Sequence, residues 1–200
     1  MSVMFKLSYG LFVVTARDGE KDNGCVINTV QQVTATPNRI SLALNKQNYT
    51  HDMILKTAQF NVSIISEAAN FELFRHFGFA SGRNTDKFAA YTDFARADNG
   101  VTYITKGINA MLCARVVQTV DLGTHTLFIA DVAEEKTLSN DASATYSYYF
   151  EHIKPKPEAQ PAKKGWRCKI CGYVYEGDPL PADFVCPLCL HPASDFEPLS

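Results

Sequence analysis

Residues 25–50 read CVINTVQQVTATPNRISLALNKQNYT, and their patterning decides the fold class. Ile40, Leu42 and Leu44 alternate with Arg39, Ser41 and Ala43, the period of two that a half-buried strand requires. Upstream, Cys25 to Pro37 also reads as a strand, but Val26, Val30 and Val33 are interrupted by Asn28, Thr29, Gln31 and Gln32. Amides turned into a dry core would lose their hydrogen bonds, so this strand lies at a sheet edge or faces a ligand. Downstream, Asn45 to Asp52 leads into the short helix MILKTA, with Asn48 or Thr50 as its N-cap. A helix start offers unpaired N–H groups and the positive end of the helix dipole, and with Lys46 beside it can hold a phosphate. On these residues alone an ordinary capped helix is the simpler reading.

Working outward, LFVVTAR (11–17) predicts a strand, and the glycines and aspartates from Asp18 to Gly24 suit a hairpin connection to the polar strand. FNVSII (60–65) alternates as another strand, while Phe71, Phe74 and Phe77 recur at helical spacing before Gly78, a helix stop. Residues 79–110 are rich in loop formers and show no readable element. Strands are expected at 112–120 and 124–132, with His125 at the start of the second. Many strands, few helices and frequent turn signals predict a mostly β fold with some helix, an antiparallel barrel over residues 1–150. Cys25 and Cys113 lie in apolar stretches and read as small buried hydrophobes.

Residues 151–165, EHIKPKPEAQPAKKG, combine prolines and lysines with little that is apolar, the composition of an extended linker. Beyond it, residues 166–200 carry Cys168, Cys171, Cys186 and Cys189 as C-x2-C-x14-C-x2-C. Two such knuckles supply four thiolates for a tetrahedral zinc or iron. A domain below roughly 40 residues needs such a staple to fold. The spacing leaves both metals open, a zinc ribbon being the plainer one. Trp166, Tyr173, Tyr175, Phe184 and Phe196 form an aromatic shell that a structural zinc does not need, and this favours iron.

At 46% hydrophobic, 12% aromatic and 20% charged residues with net charge -2, the chain suits globular domains rather than disorder. It has no basic footprint for nucleic acid. The first twenty residues hold only a short apolar run with early charges, so neither a secretion signal nor a membrane partner is expected, and a cytoplasmic location follows.

Two family resemblances add to this reading. CysGlyTyr (171–173), CysProLeuCys (186–189) and SerAspPheGlu (194–197) resemble rubredoxin, which implies one iron held by the four cysteines and cycling between ferric and ferrous states. The gap between knuckles is shorter than in ordinary rubredoxins and is similar to that of rubrerythrin, and Leu190 stands where rubredoxins usually carry glycine. Residues 26–32, 45–50, 82–88 and 123–129 together resemble the flavin reductase-like, FMN-binding split barrels. That resemblance implies that Asn28, Thr29, Val30 and Gln31 edge the isoalloxazine and that Asn45, Lys46, Asn48 and Thr50 hold the phosphate. It further implies that Arg83 and Lys87 close the pocket and that His125 is the catalytic residue on the nicotinamide side. The family commonly places an aspartate before that histidine, and this chain has Thr124. A homodimer is also implied.

Across its whole length the chain resembles the high-molecular-weight rubredoxins. This implies electron transfer from NAD(P)H through bound FMN to the fused iron, and on to a flavodiiron protein that reduces oxygen or nitric oxide. A flavin exchanges electrons both in pairs and singly, which reconciles a hydride donor with a one-electron metal. Arg167 and Lys169 are outnumbered by Glu176, Asp178, Asp183, Asp195 and Glu197, a balance suited to a basic partner. The alternatives are a flavin reductase that releases reduced flavin and docks through its metal domain, and a zinc-filled, redox-silent binding module.

Overall fold

The structure, a computed structural model, describes residues 3–155 and 165–199. The chain divides into two compact units between Lys154 and Pro155. In the first, β1 (Phe12–Asp18) and β2 (Lys21–Ile27) form a hairpin about Gly19, whose φ of 59° suits glycine. There follow β3 (Gln31–Ala35), β4 (Asn38–Asn45), α1 (Tyr49–Thr57), β5 (Gln59–Ile65) and α2 (Phe71–Gly78). The unit continues through β6 (Phe94–Arg96), β7 (Thr102–Ile104), β8 (Ile108–Asp121), β9 (His125–Thr137) and α3 (Tyr146–Tyr148). Seven strands join in the order β2-β1-β5-β8-β9-β4-β3, with every neighbouring pair antiparallel. The mostly β, antiparallel fold class expected from the patterning is the one observed.

The connection between the two outer strands shapes this sheet. Only Asn28–Val30 separate β2 from β3, and the step from Ile27 to Gln31 spans at most about 14 Å. The sheet must therefore curl until its edges face each other, which makes a split barrel. The single polar strand expected over 25–37 is in fact broken here. Thr29 pins the break, its Oγ1 donating to Ala43 O (2.7 Å) and accepting from Ala43 N (3.2 Å). Lys21 to Gly24, expected within a turn, belong to β2, because Gly19 and Glu20 complete the reversal in two residues.

Inside the barrel, Val14, Leu42, Leu44, Ile54, Phe60, Val62 and Phe128 form one core, each no more than 1% exposed. Met53 and Ile54 seat α1 against it, and the helix ends at Ala58, in the left-handed region with its N–H bonded to Ile54 O. A second cluster holds Val13, Ile65, Phe74, Phe77, Ile104 and Tyr149. Ile153 packs against it at the end of a π-helical turn, Tyr149–Ile153. The ordered barrel unit therefore runs past residue 150, because an apolar side chain in contact with the core is not linker. Linker residues 156–164 lie outside the described residues. The segment 79–110, unreadable in the sequence, contains the β6–β7 hairpin. Polar groups on β5 hold β7 and its approach: Asn61 Nδ2 donates to Val101 O (2.8 Å) and Ile104 N donates to Ser63 Oγ (2.9 Å).

The second unit is a three-stranded sheet of β10 (Gly165–Cys168), β11 (Val174–Tyr175) and β12 (Phe196–Leu199), with β10 central. Its core is Cys168, Cys186 and Phe196, ringed by Trp166, Tyr173, Tyr175 and Phe184. Among the described residues no helix is long and apolar enough to cross a membrane.

Candidate functional site

Two knuckles of the same construction build the metal centre. In the first, Cys168 N donates to Tyr173 O (2.8 Å) and Gly172 N to Cys168 O (2.9 Å). The second repeats this, Cys186 N to His191 O (2.8 Å) and Leu190 N to Cys186 O (2.9 Å). The residue after each pair lies in the left-handed region, Gly172 at φ 82° and Leu190 at φ 60°. For leucine that conformation costs about 1–2 kcal/mol, so the fold imposes on Leu190 a turn that glycine takes freely. Its side chain is 75% exposed.

The four Sγ atoms lie within 4.8 Å of one another, with Cys168–Cys189 at 3.6 Å and Cys171–Cys186 at 3.4 Å. A thiolate tetrahedron around one ion at a metal–sulfur distance of about 2.3 Å has edges of about 3.8 Å, so the donor set fits a single metal. Burial pushes the Cys171 thiol up to about 11. Burial acts in the same direction on Cys186, but the N–H groups of Cys189 and Leu188, together with the neighbouring thiols, outweigh it and hold Cys186 below the usual thiol value. Phe184 packs on Tyr175 (4.7 Å) and Phe196 (5.4 Å), which keeps water from the buried side of the sulfurs.

In the barrel, the end of β4, the start of β9 and the first turn of α1 meet. Asn45 is opposite His125 in the β4–β9 register, and Lys46 N donates to Thr124 O (3.0 Å). Asn48 is the helix cap, its Oδ1 accepting from Thr50 N (3.0 Å), while Asn45 Oδ1 accepts from Gln47 N (2.9 Å). Asn45, Lys46, Asn48, Thr50 and His125 are thus brought together. Thr29 is held on Ala43, and the half-buried Val30 packs on the barrel core. Asn28 is half-buried and Gln31 exposed, on either side of them. The Lys46 ammonium turns aside to Asp121 (2.6 Å). His125 Nδ1 lies 2.9 Å from Thr124 Oγ1, a neutral partner.

The loop after α2 closes over this corner. A Cβ on Gly82 would fall 2.0 Å from Asn23 Oδ1, so the close approach requires glycine. Asn23 is 1% exposed, its Nδ2 donates to Thr50 Oγ1 (2.9 Å), and its Oδ1 has no partner among the described residues. Next to Gly82, Arg83 donates to Asp52 Oδ2 (2.6 Å) and lies over the Tyr49 ring at 5.2 Å. Lys21 approaches the same ring at 4.6 Å. Burial would raise the Asp52 pKa, but hydrogen bonds from His51 and Arg83 outweigh it and hold the carboxyl below its usual range.

Lys87, expected to close the pocket with Arg83, is turned into the protein. It is 3% exposed, and its ammonium donates inward to Gly24 O (2.8 Å) and Phe77 O (3.0 Å). Burial lowers its pKa, opposed by the nearby Cys25. The ammonium thus lies behind the wall of this corner, held by two main-chain carbonyls. The capped helix start, the cations and the glycine cradle suit a phosphate-bearing cofactor. A separate cavity of about 530 Å³ lies beside α2, lined by Leu73, His76 and Tyr91, and of the expected site residues only Lys87 lines it. Sequence reasoning missed Lys21, Asn23, Tyr49, His51 and Asp52. Tyr49, His51 and Asp52 fall in the run TyrThrHisAsp at the helix start, whose composition does not tell which of them is buried, and Lys21 and Asn23 carry no local signal.

The flavin reductase like domain model matches residues 4–156, and the rubrerythrin, rubredoxin-like domain model matches residues 166–197. The chain belongs to the flavin reductase-like family. This flavin reductase-like chain is 35% identical to the high molecular weight rubredoxin of Moorella thermoacetica, over 96% of each sequence. It is 32% identical to the ferric-chelate reductase (NAD(P)H) of Archaeoglobus fulgidus, over 78% of this chain and 90% of that protein. The structure of the NADH:FAD oxidoreductase SgcE6 of Streptomyces globisporus C-1027 superposes with a TM-score of 0.64 at 22% identity, over 71% of this chain and 83% of that one. The protein is accordingly an oxidoreductase, a flavin-binding barrel of the flavin reductase-like family fused to a rubredoxin-like iron site.

Proposed function

We propose that the protein transfers electrons from NAD(P)H, by way of FMN bound in the barrel, to iron at Cys168, Cys171, Cys186 and Cys189, and on to a flavodiiron protein. The observation that carries this reading is the fusion itself: four thiols that fit one ion share a chain with a barrel of the flavin reductase-like family. Bound flavin supplies the conversion between the paired electrons of a hydride and the single electrons of an iron centre.

The chain's own groups have separable tasks. Thr29, fixed on Ala43, holds Asn28, Val30 and Gln31 along the edge of the barrel split, where the ring system is to lie. Asn45, Lys46, Asn48 and Thr50 present the first turn of α1 to the phosphate. Arg83 closes over it, and Lys87 adds positive charge from behind the wall. His125 orients the nicotinamide. Exposed Val33, Val117, Val120 and Leu122 are the apolar surface that a second copy would cover in a homodimer. Free cysteines without disulfides suit the cytoplasm, and the acidic metal domain suits a basic face on the acceptor.

Anaerobic titration with NADH tests the proposal. A chain holding one FMN and one ferric iron takes up three electrons, about 1.5 equivalents of NADH, against about 1 for flavin alone. An endpoint near 1 with the ferric-thiolate bands intact contradicts it.

A further inference from the structure

Four residues from three separate segments form one hydrogen-bonded chain at the corner where α1 meets β9. Arg83 Nη2 donates to Asp52 Oδ2 (2.6 Å), Asp52 Oδ1 lies 3.1 Å from His51 Nδ1, and His51 Nε2 lies 2.8 Å from Thr126 Oγ1. His51 is 4% exposed and Thr126 6%, and Phe128 packs edge-on against the imidazole at 5.7 Å. The directions follow from donor chemistry. A carboxylate only accepts, so Nδ1 carries the proton. In the neutral ring Nε2 then accepts, and the Thr126 hydroxyl donates to it.

Each end of this chain reaches one side of the site. Arg83 lies over the first turn of α1, whereas Thr126 directly follows His125, which faces Asn45 across the sheet. Successive strand residues point to opposite faces, so holding Thr126 inward sets where His125 points. An imidazole that merely filled volume would be replaced by an apolar side chain with less desolvation. Here both ring nitrogens are engaged, by groups leading in opposite directions.

We infer that His51 is a positioning residue that fixes Arg83 and His125 relative to each other, so that the grip on the flavin phosphate and the contact with nicotinamide are set by one element. This rests on the function proposed above. Cutting the chain on different sides of the ring has different consequences. His51→Asn keeps an amide donor toward Asp52 and loses Thr126, and Thr126→Val breaks the same bond while conserving volume. Both are expected to slow the first reduction of bound FMN by NADH about tenfold, with the FMN Kd changed less than about twofold. His51→Gln keeps the Thr126 side and loses Asp52. It is expected to raise the FMN Kd about tenfold, an effect that shrinks below about twofold in an Arg83→Ala background because the released group is then absent.

The experiment measures FMN Kd by fluorescence quenching and the first reduction by stopped flow, on the purified full chain and these variants. Wild-type rates and affinities in folded variants overturn the inference, as does a His51→Gln effect that persists at full size without Arg83. If the His51 variants do not fold, Thr126→Val decides on the same readouts. FMN binding to wild type with all variants unaffected overturns this inference alone, whereas wild-type protein that takes no FMN overturns the proposed function and the inference with it.

Discussion

Gly82→Ala probes the closure of the barrel site through a single methyl group. The added Cβ would lie 2.0 Å from Asn23 Oδ1 and 2.5 Å from its Cγ, far inside contact distance. Asn23 cannot swing away cheaply, since it is 1% exposed and its amide is held by Thr50 at 2.9 Å. Overpacking of this kind costs about 1–3 kcal/mol, and losing the Asn23–Thr50 bond adds about 1 kcal/mol. The expected loss is about 2–4 kcal/mol, and at about 2–4 °C per kcal/mol for a domain of this size the barrel melts roughly 4–16 °C lower. Because the movement displaces Arg83 and Thr50, FMN binding is expected to weaken about tenfold or more. Thermal unfolding followed by tryptophan-independent circular dichroism, with FMN quenching alongside, reads both. The control is Asn23→Ala, which removes the obstructing atoms, so that Gly82→Ala added to it costs less than about 1 kcal/mol. Equal cost in both backgrounds, or no cost in either, refutes the reasoning.

Cys186→Ser removes one corner of the sulfur tetrahedron and is expected to abolish the ferric-thiolate absorption while NADH reduces flavin within about twofold of the wild-type rate, as rapid-scan spectra would show. His125→Ala is expected to slow flavin reduction by NADH about tenfold or more with FMN Kd nearly unchanged, in stopped flow and quenching titrations. Asp52 contributes to stability at neutral pH and less in acid. Its folded pKa lies below the unfolded value of about 3.9, so the contribution is complete above that value and is lost as pH falls through the folded one. In acid unfolding curves, Asp52→Asn is expected to flatten the dependence below about pH 4.

The sequence made some of this legible because the cause was local. Ile40, Leu42 and Leu44 face a core on one side only, so their alternation survives in the chain as written. The cysteine knuckles are likewise local, each closed by a bond from the residue after it. Other features depend on partners far away. The break at Asn28–Val30 is made by Thr29 bonding the backbone of Ala43, and a backbone partner leaves no mark on the residue that supplies it. The β6–β7 hairpin is held from β5 by Asn61 and Ser63, which in sequence look like polar interruptions of a strand. Lys87 is expected to close the pocket, and nothing in its own neighbourhood in sequence marks the carbonyls of Gly24 and Phe77 that take its ammonium inward. His51 was hidden because its burial depends on which face α1 lays down. Met53 and Ile54 fix that face, and a helix of nine residues carries too little periodicity to show it beforehand.

The central claim is that the two halves form one electron path, and anaerobic rapid mixing of the purified protein with NADH tests it most directly. Flavin absorption should bleach first, followed by loss of the ferric-thiolate bands within the same turnover and at a rate independent of protein concentration. Bleached flavin beside iron that stays ferric, or iron reduction that waits on added free flavin, would contradict the account.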